Sequence, residues 1–272
     1  MKIVLWIADE SNQKALCSKI NELYPLAGVV LEQRIVKRKM NTSLLSKKFI
    51  ERLFLPKARR SWFKLLNFYD KKFKHYPKTN LITVSNVNSK ETFEFTNKIQ
   101  PDLVLVSGTS LVKEPLLSIT CKIGILNLHT GLSPYVKGGP NCTNWCIANR
   151  DFHLIGNTIM WIDNGIDTGN IFTTKLVKFS GKEKNLFSVH LSVMEDAHEL
   201  YISAVNSINK GYIQSIKQSE ITQGTTYYSK QWGLKQLFQL TLNTSIFVNS
   251  FKKPTIRTQN IITCRLPNDH DN

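Results

Sequence analysis

The sequence predicts an α/β fold built on a mostly parallel sheet, and three observations lead there. Short aliphatic runs recur along the first half of the chain, stretches with helical spacing separate them, and the runs are too evenly apolar to be half-exposed strands. Strands buried on both faces and joined by helices make a parallel sheet with crossover connections. The apolar content of 42% over 272 residues is enough to fill such a core.

The elements follow in order. Residues 2–8 form a first strand, and Ser11 is placed as the N-cap of a helix carrying Ala15, Leu16, Ile20 and Leu23. Strands follow at 27–31 and 81–84, a helix at 92–99, and a strand at 102–106. Another strand covers 123–129, and a helix covers 140–150, where Pro140 sits early because a missing N–H costs little there. Longer strands at 154–162 and 170–177 precede a long helix at 183–210. Beyond Lys210 come strand-like pieces at 211–217, a turn at Gly224 and an apolar, nearly uncharged stretch at 232–251, read as a dimer surface or as the core of a small unit. The expected organisation is a Rossmann-like unit at 1–210 and a small mixed extension at 211–272.

Residues 33–76 are far too many for an ordinary crossover and are read as an insertion. Leu44, Leu45, Phe49, Ile50, Leu53 and Phe54 recur there at helical spacing among lysines and arginines, which predicts one or two basic amphipathic helices. A lid is the first reading, with a phosphate- or RNA-facing surface and a membrane-surface helix as alternatives.

Composition narrows the partners. Against 20 acids stand 36 lysines and arginines, a net charge of +16 that favours anionic ligands. No run of eighteen apolar residues is present, and the opening meets Asp9 and Glu10 too soon for a signal peptide, so a cytoplasmic protein without a membrane span is expected. The five cysteines are expected to be reduced. Cys142 and Cys146 have no second pair to complete a metal site, so no metal is expected.

In 124–129, Asn127 and His129 stand two apart at the end of an apolar strand, so both project on one face. Ligands of open α/β sheets bind at such strand ends. A glycine- and proline-rich loop at 130–140 follows, and 161–169 places Asp163 and Asp167 in a turn between two strands. Taken singly, these residues suit ordinary roles: a strand cap, a half-buried histidine, a turn former.

As a set they resemble the active site of the folate-dependent formyltransferases, a family that includes glycinamide ribonucleotide, methionyl-tRNA and sugar N-formyltransferases. The resemblance runs from about Asn88 to Tyr227. It is strongest in His129-Thr130-Gly131-Leu132-Ser133-Pro134 and in Gly165-Ile166-Asp167-Thr168-Gly169. It implies 10-formyltetrahydrofolate as cosubstrate and Asn127, His129 and Asp167 as catalytic residues. It also implies folate contacts at Ser110, Leu111, Val112, Ile162, Asp163 and Gly165. The chemistry wants such groups: an attacked formyl carbon gives a tetrahedral intermediate whose oxyanion needs donors, and a proton must pass from the amine to the departing folate nitrogen.

The acceptor is the open point. Ala8-Asp9-Glu10-Ser11-Asn12 replaces the phosphate-binding glycine loop of the glycinamide ribonucleotide enzymes. The extension after Lys210 is short for a methionyl-tRNA enzyme, although the basic insertion keeps tRNA as the alternative. The closest resemblance is to sugar N-formyltransferases, which implies a nucleotide-linked amino sugar such as a dTDP- or GDP-4-amino-4,6-dideoxyhexose, a homodimer and a role in lipopolysaccharide O-antigen assembly. Lys137 and Tyr227, the latter within Gln223-Gly224-Thr225-Thr226-Tyr227, are nominated as substrate contacts. A non-catalytic folate or nucleotide-sugar binding protein is the second alternative.

Overall fold

A computed structural model describes residues 1–34, 56–250 and 261–266. Seven strands form the main sheet: β1 (Ile3–Ala8), β2 (Gly28–Glu32), β3 (Leu81–Val84), β4 (Leu103–Ser107), β5 (Gly124–His129), β7 (Gly156–Trp161) and β8 (Ile171–Leu176). A separate pair joins β6 (Val136–Gly138) to β9 (Thr225–Tyr227). The main order is β3-β2-β1-β4-β5-β7-β8, parallel through the first five strands and antiparallel for the last two.

Alternation along β1 shows why its sequence is apolar throughout. Ile3, Leu5 and Ile7 face α1 (Ser11–Leu23) and the long helix α5 (Leu186–Asn209), while Val4 and Trp6 face α3 (Lys90–Ile99). Helices therefore cover both faces, and no β1 position can be polar without losing packing. Trp6 resolves its one polar atom by donating from Nε1 to Thr96 Oγ1 at 3.1 Å. Tyr201 of α5, fully buried, sets its hydroxyl between the two central strands, accepting from Val106 N at 2.9 Å and donating to Leu126 O at 2.6 Å.

Caps mark the helix starts. Asn185 and Ser188 form a reciprocal capping box at α5, and Ser89 accepts from Thr92 N at α3. At α1 the expected cap is corrected: Ser11 is the first helical residue, and the N-cap is Glu10 without a side-chain hydrogen bond. Pro140 likewise lies outside its helix, α4 (Cys142–Asn149), which Asn141 caps instead.

The region after Lys210 differs most from expectation. The strand-like 211–217 is a loop with a single bridge, Ile216 to Ile171. The apolar 232–251 contains helix α6 (Leu234–Ser250), whose Leu240 and Phe247 pack with Cys146 and Ile147 of α4. Asn243 of α6 donates to Ala148 O at 2.8 Å and accepts from Arg150 Nε at 3.1 Å, so this segment is built onto the sheet unit. The opposite face of α6 leaves Phe238, Leu242 and Ile246 exposed.

Leu44 to Phe54, where basic amphipathic helices are expected, lie outside the described residues. Of the insertion, helix α2 (Pro56–Lys72) is described, and it docks through Leu65 and Tyr69 on Ala15 and Met194. Tyr69 donates to Glu195 Oε1 at 2.6 Å, and Lys19 pairs with Glu195 Oε2 at 2.7 Å, which ties α2 to α1 and α5. All five cysteines are free. No helix among the described residues is long and apolar enough to cross a membrane.

Candidate active site

The polar pair of the sequence stands at the carboxyl end of β5. Asn127 and His129 sit opposite Met160 and Thr158 of β7, so both side chains emerge where the sheet changes from parallel to antiparallel. His129 Nδ1 lies 3.5 Å from Asp167 Oδ1, and both side chains are largely buried. Its Nε2 lies 3.5 Å from Cys142 Sγ, which in turn donates to Gly138 O at 3.4 Å, and Gly138 N donates to Asp167 Oδ2 at 3.0 Å. The imidazole thus faces Asp167 with Nδ1 and Cys142 with Nε2, each at 3.5 Å. Burial, with Cys146 and Asp167 nearby, pushes the Cys142 thiol well above its ordinary value, so Cys142 holds a proton to donate.

Asn127 makes no side-chain hydrogen bond among the described residues, which leaves its amide free for a ligand. Asp167 sits at φ 52°, in the left-handed region that Asp tolerates better than most residues. Its loop is built for that conformation. Asp163 Oδ1 accepts from Gly165 N at 2.9 Å and Thr168 Oγ1 at 2.7 Å, and Gln218 Nε2 donates to the carbonyls of Asp167 and Gly169 at 2.8 Å each. A Cβ at Gly169 would overlap the carbonyl oxygen of Trp161.

Two cavities meet at this point. The first, of about 270 Å³, is lined by the loop 108–112, by Asn127 and by the turn 160–169, and it contains Ser110, Leu111, Val112, Ile162, Asp163 and Gly165. The second, of about 310 Å³, contains His129, Glu10, Asn12, Gln13, Trp62, Cys142 and Met194. Gly108, Thr109, Asn127 and Asp167 belong to both. A molecule in one cavity can therefore react with a molecule in the other beside Asn127.

Not every nominated residue gathers here. Lys137 is buried on β6, and Tyr227 stacks on Trp145 with ring centres 4.3 Å apart while its hydroxyl accepts from Asn149. Neither lines either cavity. Conversely, Glu32 escaped notice. Its buried carboxylate accepts from Ser110 N at 2.7 Å and Val87 N at 2.9 Å and contacts Arg34 at 3.3 Å, bracing the loop that walls the first cavity. A lone acid closing an apolar strand was the available signal. Trp62 lies in the basic insertion beyond the helical spacing read at 44–54, and Gln218 lies just past the strand-like 211–217.

The sheet places a polar Asn-x-His pair and an Asp turn at its switch point, where open α/β sheets bind ligands, and sequence comparison assigns the family. Residues 65–205 match the Formyl transferase family, and the chain belongs to it. The methionyl-tRNA formyltransferase of Clostridium tetani is 33% identical over 135 residues, 49% of this chain and 42% of that protein. The chain therefore spans less than half the length of this relative. Among solved structures, the N-formyltransferase of Helicobacter canadensis, in complex with folinic acid and dTDP-3-aminofucose, has a TM-score of 0.57 at 14% identity, covering 92% of this chain and 82% of that one. A 4-N formyltransferase from Francisella tularensis has a TM-score of 0.56 at 16% identity, covering 88% and 86%. These likenesses are likenesses of fold.

Proposed function

We propose that the protein transfers the formyl group of 10-formyltetrahydrofolate to the primary amine of a nucleotide-linked amino sugar. The observation that carries this reading is the meeting of two cavities at Asn127 and Asp167, with His129 on the far one. The first cavity fits a flat heterocycle: Val112 and Ile162 offer apolar walls, and the backbones of 108–112 and 162–169 offer hydrogen-bonding edges. Folate supplies the formyl carbon there.

The chain's own groups do the rest. Asn127 directs its amide N–H at the oxygen that gains negative charge as the amine nitrogen bonds to the formyl carbon. With Nδ1 turned to Asp167, His129 takes the proton from that nitrogen at Nε2, exchanging its contact with Cys142 for the amine, and returns it to the folate nitrogen as the old carbon–nitrogen bond breaks. Asp167 holds the ring at Nδ1 and is itself held by Gly138 N. Ground state and adduct differ in charge at one oxygen, so fixed donors there lower the barrier selectively.

An amino sugar is supported by the fold-level likeness to enzymes solved with nucleotide sugars and by a second cavity of about 310 Å³ beside the first. Sequence identity to methionyl-tRNA formyltransferases favours charged tRNA as the second reading. Release of tetrahydrofolate, followed against dTDP- and GDP-linked amino sugars, glycinamide ribonucleotide and methionyl-tRNA, separates them. Turnover with a nucleotide sugar is expected; turnover confined to methionyl-tRNA would replace the acceptor assigned here. The division at Lys210, a homodimer, a cytoplasmic location and a place in surface-glycan assembly belong to the same proposal.

A further inference from the structure

Helix α2 belongs to the segment whose length and charge set it apart in the sequence, and it faces two neighbouring cavities. Trp62 lines the cavity that contains His129, together with Met194 of α5. Its neighbours on the same helix, Arg60 and Lys64, line a separate cavity of about 400 Å³ that also contains Lys184 and the first turn of α5 and is bounded by α6 at Thr244. Among the described residues no carboxylate lines this basic recess. Arg60, Lys64 and Lys184, all exposed, line this one recess and form no ion pair among the described residues. The 24-residue α5 points its positive end into the same space.

The two cavities lie along one helix. From Leu186 at the basic recess to Met194 at the transfer cavity is roughly 12 Å of α5 at 1.5 Å per residue. That separation suits a ligand with a reactive amine at one end and phosphates beyond a sugar ring. Trp62, edge-on to the buried His190 with ring centres 6.1 Å apart, stands on the helix between them. An indole offers a flat apolar face, which suits the C–H face of a sugar ring better than it suits a charged group.

We propose that α2 carries the recognition of the acceptor: Trp62 packs against its amine-bearing part, and Arg60 and Lys64, with Lys184, bind its diphosphate in the adjoining recess. This rests on the amino-sugar reading above. A concave recess takes a compact anion, whereas a tRNA backbone is gripped by cations spread along an extended surface.

The test titrates dTDP and GDP into the whole protein by calorimetry. Saturable binding is expected, weakened roughly tenfold or more in Arg60→Ala/Lys64→Ala and in Lys184→Ala, as expected for lost charge-assisted bonds. Lys98→Ala removes an equal charge from exposed α3 and is expected to bind like the unaltered protein. Trp62→Ala is expected to raise KM for the nucleotide sugar more than it lowers kcat. Binding of 5-formyltetrahydrofolate, measured on every variant, reports that the fold survives. Unchanged diphosphate affinity in the cavity variants, or an equal loss in Lys98→Ala, overturns the placement while turnover on a nucleotide sugar keeps the acceptor class. Absence of diphosphate binding together with turnover only on methionyl-tRNA overturns both.

Discussion

Glu32 shows how a residue outside the reacting groups shapes the site. Its carboxylate is the acceptor for Ser110 N and Val87 N, and a carboxylate bonds backbone N–H groups more strongly than a neutral amide does. Glu32→Gln keeps the shape and turns one oxygen into a donor that faces an N–H. We expect the 108–112 loop to loosen, KM for 10-formyltetrahydrofolate to rise by roughly tenfold, and kcat to change less, since the lost bond carries charge. Steady-state kinetics with folate varied checks this; an unchanged KM would mean that the loop holds its form without the brace. Asn127 and His129 could be placed on one face because they stand two apart on a strand, whereas Asp167, in a turn far along the chain, was singled out only by the family resemblance. The contacts of Cys142 and Gln218 were not legible, because each depends on a chain reversal that brings distant segments together.

At the scale of elements, Tyr201 joins α5 to the middle of the sheet. Its buried hydroxyl bonds the backbone of Val106 and Leu126, so Tyr201→Phe removes those bonds. The expected cost is about 1–3 kcal/mol in urea unfolding, with activity retained below the midpoint; a loss under a few tenths would show that the strands satisfy themselves without it. The parallel half of the sheet was readable in the sequence because helices cover both faces and the strand residues are apolar nearly throughout, polar ones falling mainly at the strand ends. Helix α6 was not readable as an element. Its apolar residues fall both on the face packed against α4 and on the exposed face at Phe238, Leu242 and Ile246, which blurs the helical period. The single bridge at Ile216 looked like a strand for a related reason, since alternation without a partner of matching length gives no ladder.

For the molecule as a whole, two histidines of α5 couple folding to pH. Burial pushes His190 down to about 4, and burial with the Lys19 charge, opposed by Glu195, pushes His198 down to about 3. Both are neutral when folded and take up protons once unfolded at their ordinary value of 6.5. Their contribution is therefore complete above pH 6.5 and is lost progressively as pH falls towards 4 and 3. His198→Gln is expected to flatten the decline of the urea midpoint between pH 7 and pH 5; an unaltered slope would place the pH dependence elsewhere. The same molecule carries a net charge of +16, yet the two cavities at the sheet's switch point share Asp167 and Asn127 and not a lysine. In the proposed reaction charge draws the acceptor in, and the neutral and acidic groups of β5 and its neighbouring turn carry out the transfer. The most direct test of that division is single-turnover formyl transfer by Asn127→Ala and His129→Ala, with folate affinity measured on the same samples. The account predicts a loss of about 10²–10³-fold in the transfer rate for each, with folate binding and thermal midpoint nearly unchanged. Near-normal transfer in the His129 variant would contradict it.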